Sequence, residues 1–178
     1  MTMNQFELDV VKIRDDARQH MENGAVTKGN TIDTDRLIDV LNQVVATEMV
    51  CFMRYTQHSI AAKGLDRAQV AAEFTEHAAE ELQHGLRAAE RVGQLGGSPD
   101  FDPATLMARS HTEYVEVEEA DLTRMLQENL VAERIVITSY QEIVRWIGES
   151  DPTTRRMLEE ILAEEEEHAD DLNDLLGN

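Results

Sequence analysis

Two glutamate–histidine pairs, each three residues apart and each set on the apolar stripe of a helix, constrain this chain more than any other feature. In the C-terminal stretch Leu158, Ile161, Leu162, Ala169, Leu172, Leu175 and Leu176 recur at helical spacing, and their stripe runs through Glu165 and His168. A run such as EEEEH is ordinarily a solvated face. Here one glutamate and the histidine point where the leucines point. The second pair, Glu81 and His84, lies on the stripe Phe74, Ala78, Ala88, Val92 and Leu95. Positions three apart share one helix face, so each pair can offer a carboxylate and an imidazole to a single ion.

Two further stripes carry one glutamate each. Glu48 lies among Leu37, Leu41, Val44, Cys51 and Tyr55, and Glu133 among Leu122, Leu126, Val136, Tyr140, Val144 and Ile147. Glu48 precedes Glu81 by 33 residues and Glu133 precedes Glu165 by 32, with Tyr55 and Tyr140 each seven residues after the first glutamate of its half. The chain therefore reads as a duplicated unit.

Asp33 is an N-cap for the first long helix, which is expected to end at Lys63-Gly64; Asp66 can cap the second, which stops at Gly96-Gly97-Ser98-Pro99. A crossover of roughly twenty residues follows, holding a short helix over 104–110 introduced by Asp102-Pro103. The third helix spans about Asp121 to Gly148, and Asp151-Pro152 opens the fourth, which runs almost to the C-terminus. Helices joined by tight turns are antiparallel neighbours. The four glutamates stand 14 to 16 residues from those turns, which at about 1.5 Å per residue places them at nearly one depth.

The expected fold is all-α: a four-helix bundle over residues 31–178, with a long crossover between its second and third helices. Residues 1–30 form an N-terminal extension whose short amphipathic helix, through Phe6, Val10, Ile13 and Ala17, ends before Asn23-Gly24 and either packs on a neighbour or stays partly mobile.

Glutamates turned into an apolar bundle each carry a large desolvation cost if left charged and unpaired. Two divalent cations cancel four such charges, and neutral imidazoles add none. Oxygen-rich sets with one imidazole per metal suit iron, manganese or, less selectively, zinc.

With the order Glu48, Glu81-x-x-His84, Glu133, Glu165-x-x-His168 complete, the chain resembles the ferritin-like superfamily over about Asp33 to Leu176, above all bacterioferritins and the Dps-like, bacterioferritin-related proteins. The resemblance implies that Glu48 and Glu133 are terminal ligands, that Glu81 and Glu165 bridge the metals, and that His84 and His168 complete one metal each. It implies oxidation of two Fe(II) per subunit by O2 or H2O2, with storage of the mineral in a hollow homo-oligomeric shell. Two other functions suit the same fold: a non-storage di-metal peroxidase or catalase, and a Dps-like DNA-protection protein.

Some positions depart from the bacterioferritin pattern. Leu82 stands where that family's haem-ligating methionine would follow the second-helix glutamate, so haem is not expected, and Met49 and Met53 are assigned to packing. Only ten residues follow His168, too few for the fifth helix that lines a fourfold channel. The helix in the crossover is a Dps-type feature, so a 12-mer is favoured over a 24-mer. The cysteine pair usual near the site in Dps-like relatives is missing, because Cys51 is the only cysteine.

A net charge of −20 works against nucleic acid, which needs clustered Lys and Arg. No apolar run reaches membrane-spanning length and the N-terminus lacks a signal-peptide core, so a cytoplasmic location is expected. Cys51, on an apolar stripe, reads as a small core residue. Glu80 and Glu164, each just before a Glu-x-x-His glutamate, either accept the second N–H of the histidine across the bundle or face solvent. Tyr55 and Tyr140 are core residues or hydrogen-bond partners of the site. His77, one turn above Glu81, either serves a third metal or a hydrogen bond to the site, or packs. His20, His58 and His111 read as surface or structural.

Overall fold

Four long amphipathic helices form where the stripes place them. A computed structural model describes residues 6–117 and 121–177; the first five residues of the extension and residues 118–120 of the crossover lie outside the described residues. A short helix α1 (Val10–Gln19) and a single 3-10 turn (Met21–Asn23) precede α2 (Thr34–Ala61), α3 (Arg67–Gln94), the one-turn α4 (Leu106–Arg109), α5 (Leu122–Ile147) and α6 (Pro152–Leu175). No strand occurs among the described residues. Helices α2 and α3 form one antiparallel pair, α5 and α6 the other.

The helix ends follow local chemistry. Asp33, Asp121 and Asp151 each accept a hydrogen bond from a first-turn N–H, and Pro152 takes the first helical position after Asp151. Gly148 ends α5 at φ 50°, a left-handed conformation that a side chain would disfavour. Asp66 makes no side-chain cap, contrary to expectation: at φ −91° and ψ 5° its backbone is outside the extended region from which an N-cap reaches the N–H groups. Helix α4 is also shorter than expected. Asp102 turns its carboxylate back onto the Ala104 N–H, so Pro103 falls in a turn and only Leu106–Arg109 are helical.

The crossover is a strap laid along α2. Asn42 bonds to Ser98 and Asp100, Thr47 accepts the His111 N–H, Cys51 meets Thr112, and Arg54 donates to the Glu113 carbonyl. Successive strap residues thus climb successive turns of one helix. The N-terminal helix α1 buries none of its residues, although Val26 and Ile32 behind it pack onto the bundle.

Two apolar clusters fill the bundle. One gathers Leu37, Leu41, Val44, Val92, Ile147, Leu158 and Ile161; the other gathers Tyr55, Val70, Phe74, Leu126 and Leu172. At about 1.5–3 kcal/mol for each large apolar side chain buried, they supply the main drive to fold. Met49 joins the first cluster as expected, but Met53 is 41% exposed and packs no core, since it falls off the α2 stripe.

Where α6 begins, buried Arg91 donates twice to Asp151, whose carboxylate also caps α6 and accepts from the Thr154 hydroxyl. Burial pushes the Asp151 carboxyl up, but bonds from Thr154 and Arg91 outweigh it and hold the pKa below the ordinary 3.8. Asp151→Asn is expected to destabilise the protein by about 3 kcal/mol at neutral pH, because Arg91 is left buried and unpaired. The folded pKa is lowered, so this contribution is full above the unfolded value and vanishes as pH falls through the folded one. Denaturant unfolding of both proteins at pH 7 and in acid checks the size and the sign.

Candidate metal centre

The six residues singled out by the stripes meet in one layer between the two apolar clusters. Glu48, Glu81, His84, Glu133 and Glu165 are fully buried and His168 is 3% exposed. Their ligand atoms form two groups, each within 4.8 Å: Glu48, Glu81, His84 and Glu165, and Glu81, Glu133, Glu165 and His168. Glu81 and Glu165 belong to both. The donor set fits two adjacent hard-to-intermediate divalent cations, each offered three carboxylates and one imidazole.

Unsatisfied atoms test that fit. Glu48 Oε2, both Glu81 oxygens, Glu133 Oε2, Glu165 Oε2 and His168 Nδ1 are buried without a hydrogen-bond partner. Such groups are rare in folded proteins because each costs about 1–3 kcal/mol or more. Six of the ten such side-chain atoms among the described residues thus lie in this one layer, which is where cations would satisfy them.

The other atoms of the same residues are held by partners from the opposite half. Tyr55 on α2 donates to Glu133 on α5, and Tyr140 on α5 donates to Glu48 on α2. His84 Nε2–H on α3 donates to Glu164 on α6 at 2.6 Å, and His168 Nε2–H on α6 donates to Glu80 on α3 at 2.8 Å. A carboxylate only accepts, so these bonds fix the proton on Nε2 and turn Nδ1 inward. Of the two readings open for Glu80 and Glu164, the structure selects the histidine acceptor. Both tyrosines bond to the layer.

The electrostatics follow from crowding. Burial, then the charge of Glu165, raises the pKa of Glu48, Glu81 and Glu133. Burial opposes charge on Glu165 as well, but the pull of His168 and His84 outweighs it and holds that carboxyl low. His84 Nδ1 lies 2.8 Å and His168 Nδ1 3.4 Å from Glu165. Against the cost of burial, these contacts raise the imidazoles to about 9 and about 10.

Gly85 lets α2 approach α3 beside this layer. A Cβ there would stand 2.5 Å from the Met49 methyl and 3.2 Å from Glu48 Cβ, so any side chain would push on Glu48. Sequence reasoning did not single out Gly85, although a glycine directly after His84 in mid-helix was the available signal. It also missed Arg54, which is 1% exposed and donates to Asn129 and the Glu113 carbonyl. Nothing in the local pattern marks that arginine as buried. Cys51 is a core residue as expected, its thiol pushed up to about 12 by burial. His58 pairs with Asn129, His111 packs edge-on to Tyr140, and His20 is exposed. His77 joins none of the six but forms a third group with Glu73 and Asp171.

A four-helix bundle whose two halves each send two glutamates and a histidine into one buried layer has the architecture of the ferritin-like bundles. The ferritin-like domain model matches residues 38–178, and the chain belongs to that family. Among named relatives, it is 26% identical over 134 residues to a bacterioferritin of Desulfovibrio desulfuricans, covering 75% of this chain and 70% of that one. It is 28% identical over 139 residues to a DNA protection during starvation protein of Pyrococcus furiosus, covering 77% and 75%. Among solved structures, a dodecameric thioferritin described as the bacterioferritin-related protein of Bacteroides fragilis superposes with TM-score 0.79 at 36% identity, over 82% of this chain and 87% of the other.

The raised histidine pKa values generate a prediction. Cations need unprotonated Nδ1 atoms, so binding must displace the protons those imidazoles hold at neutral pH. Titration calorimetry with Zn(II) in buffers of differing ionisation enthalpy is expected to show release of at least two protons per chain, one per histidine, at pH 7. Affinity should rise from pH 6 to pH 9. Heats independent of the buffer would refute this electrostatic account.

Proposed function

We propose that this protein oxidises Fe(II) at a two-iron centre formed by Glu48, Glu81, His84, Glu133, Glu165 and His168, and stores the ferric product inside a homo-oligomeric shell. The observation that carries the reading is the pair of ligand groups sharing Glu81 and Glu165. Shared carboxylates hold two cations close enough to deliver two electrons to one acceptor. With O2, two Fe(II) and two protons give two Fe(III) and H2O2; with H2O2, the same two electrons and two protons give two waters. Glu81 and Glu165, common to both groups, would be shared between the ions, with Glu48 and His84 holding one and Glu133 and His168 the other. Tyr55 and Tyr140 hold the terminal carboxylates, while Glu80 and Glu164 orient the imidazoles. Manganese and zinc fit the same donors, but zinc, which has no accessible neighbouring oxidation state, cannot do this chemistry.

Iron handling accords with the ferritin-like family and with the bacterioferritin relative. Two relatives, from Pyrococcus furiosus and Synechococcus, are named for DNA protection or DNA binding. Direct DNA binding by this chain is opposed by its net charge of −20. Protection by removing Fe(II) and peroxide needs no such contact.

Glu133→Ala removes a terminal ligand and one buried like charge, so the bundle should persist. Rapid Fe(II) oxidation followed by stopped-flow absorbance is expected to fall by at least about 100-fold, beyond the usual loss for an outer partner of a metal ligand. An unchanged rate would overturn the site assignment.

The shell is expected to be a dodecamer, as the Bacteroides fragilis protein is described. Native mass spectrometry should give about twelve times 20.1 kDa. A mass near twenty-four chains would overturn the twelve-subunit shell and leave the iron chemistry standing.

A further inference from the structure

On the seam between α3 and α6 a cavity of about 120 Å³ opens from the surface to His168, rimmed by Glu76, Glu80, Glu164 and Glu167. His77 forms part of its wall. That residue is 1% exposed, and neither ring nitrogen has a hydrogen-bond partner. A histidine needed only for packing has an apolar substitute in phenylalanine, and two orphaned buried nitrogens are costly. His77 Nε2 lies 3.3 Å from Glu73 Oε1 and 3.8 Å from Asp171 Oδ2. The longer separation exceeds a hydrogen bond. Both suit two ligand atoms on one cation, because donors about 2.1 Å from a metal and about 100–130° apart around it stand about 3.2–3.8 Å from one another.

We propose that His77, Glu73 and Asp171 form a third divalent-cation site, separate from the six-residue layer, which holds an ion next to the two-iron centre before it enters. An imidazole with two carboxylates selects Fe(II), Co(II) or Zn(II) over Mg(II) and Ca(II), which prefer oxygen alone. The His77 ring stacks on His168 at 4.1 Å between centroids, so a single imidazole layer separates this site from the centre. The acidic rim draws cations from solvent toward it. Cation binding rests on this geometry alone, whereas the feeding role rests on the function proposed above.

The test uses Co(II) alone as the probe, in equilibrium dialysis against the full-length protein, with excess Mg(II) to occupy non-specific surface carboxylates. Three Co(II) per chain are expected, one for each ligand group. The Glu73→Gln/Asp171→Asn double variant should bind two, and its substitutions fall on partly exposed side chains that leave the core intact. Glu133→Ala should keep the ion held by His77. Two Co(II) in the unaltered protein, or three in the double variant, would overturn the site. For the feeding role, Fe(II) supplied at two per chain should be oxidised several-fold more slowly by the double variant; an unchanged rate would overturn that role. Loss of one Co(II) without Fe(II) oxidation in any of the proteins would uphold the third site and sink the iron-oxidation reading.

Discussion

Mutual repulsion among four carboxylates at one depth of an apolar bundle is the constraint on which the rest of this structure depends. Each buried, unpaired charge costs several kcal/mol, so the layer opposes folding unless its charges are neutralised. It is tolerated because it is thin. Above and below it the helices carry Val, Leu, Ile and Phe, and those two clusters hold the helices at fixed spacing without help from the polar layer. The geometry of the layer is therefore imposed by its neighbours, as a site that must not collapse requires.

The same repulsion explains why every supporting bond crosses the bundle. A tyrosine two turns from a glutamate on its own helix cannot reach it, but it can reach the glutamate of the other half. The duplicated spacing makes the exchange reciprocal: Tyr55 to Glu133 and Tyr140 to Glu48, His84 to Glu164 and His168 to Glu80. Neither half can complete its own ligands. The α2–α3 and α5–α6 hairpins are thus coupled by reciprocal polar bonds at the level of the carboxylate layer, as they are by Arg91 to Asp151 and Arg54 to Asn129 elsewhere along the bundle.

The bundle and its centre were legible in sequence because both are periodic. Glu48 and Glu133 could be placed at one depth by counting from turns, and Asp33, Asp121 and Asp151 announced helix starts. What was not legible depends on approach between chain segments remote in sequence. Arg54 looks like any helix arginine until the Glu113 carbonyl and Asn129 close over it. Gly85 gains its meaning only from Met49 and Glu48 across the helix pair. Asp66 failed as a cap because it sits in the turn that leads into α3 with its backbone at φ −91° and ψ 5°, a constraint that residue type alone does not carry. Glu80 and Glu164 were ambiguous for a related reason: their position on the helix allows either solvent or a histidine, and only the width of the α3–α6 seam decides.

The two faces of the bundle differ in cover, and that difference gives the centre a direction. The strap between α3 and α5 bonds to Asn42, Thr47, Cys51 and Arg54 of α2 in turn and packs His111 on Tyr140 of α5, so the α2–α5 face is roofed over. No equivalent segment covers α3 or α6 among the described residues. Their seam stays open at the level of His168, where Glu80 and Glu164 are about half exposed while the imidazoles they hold are buried. The residues that orient the histidines are therefore also the boundary between solvent and the buried layer. A cation arriving there would meet carboxylate first and imidazole next, and would lose its water in steps. Stepwise exchange of water for protein oxygen is the condition under which a buried anionic layer can be filled without ever exposing a bare charge.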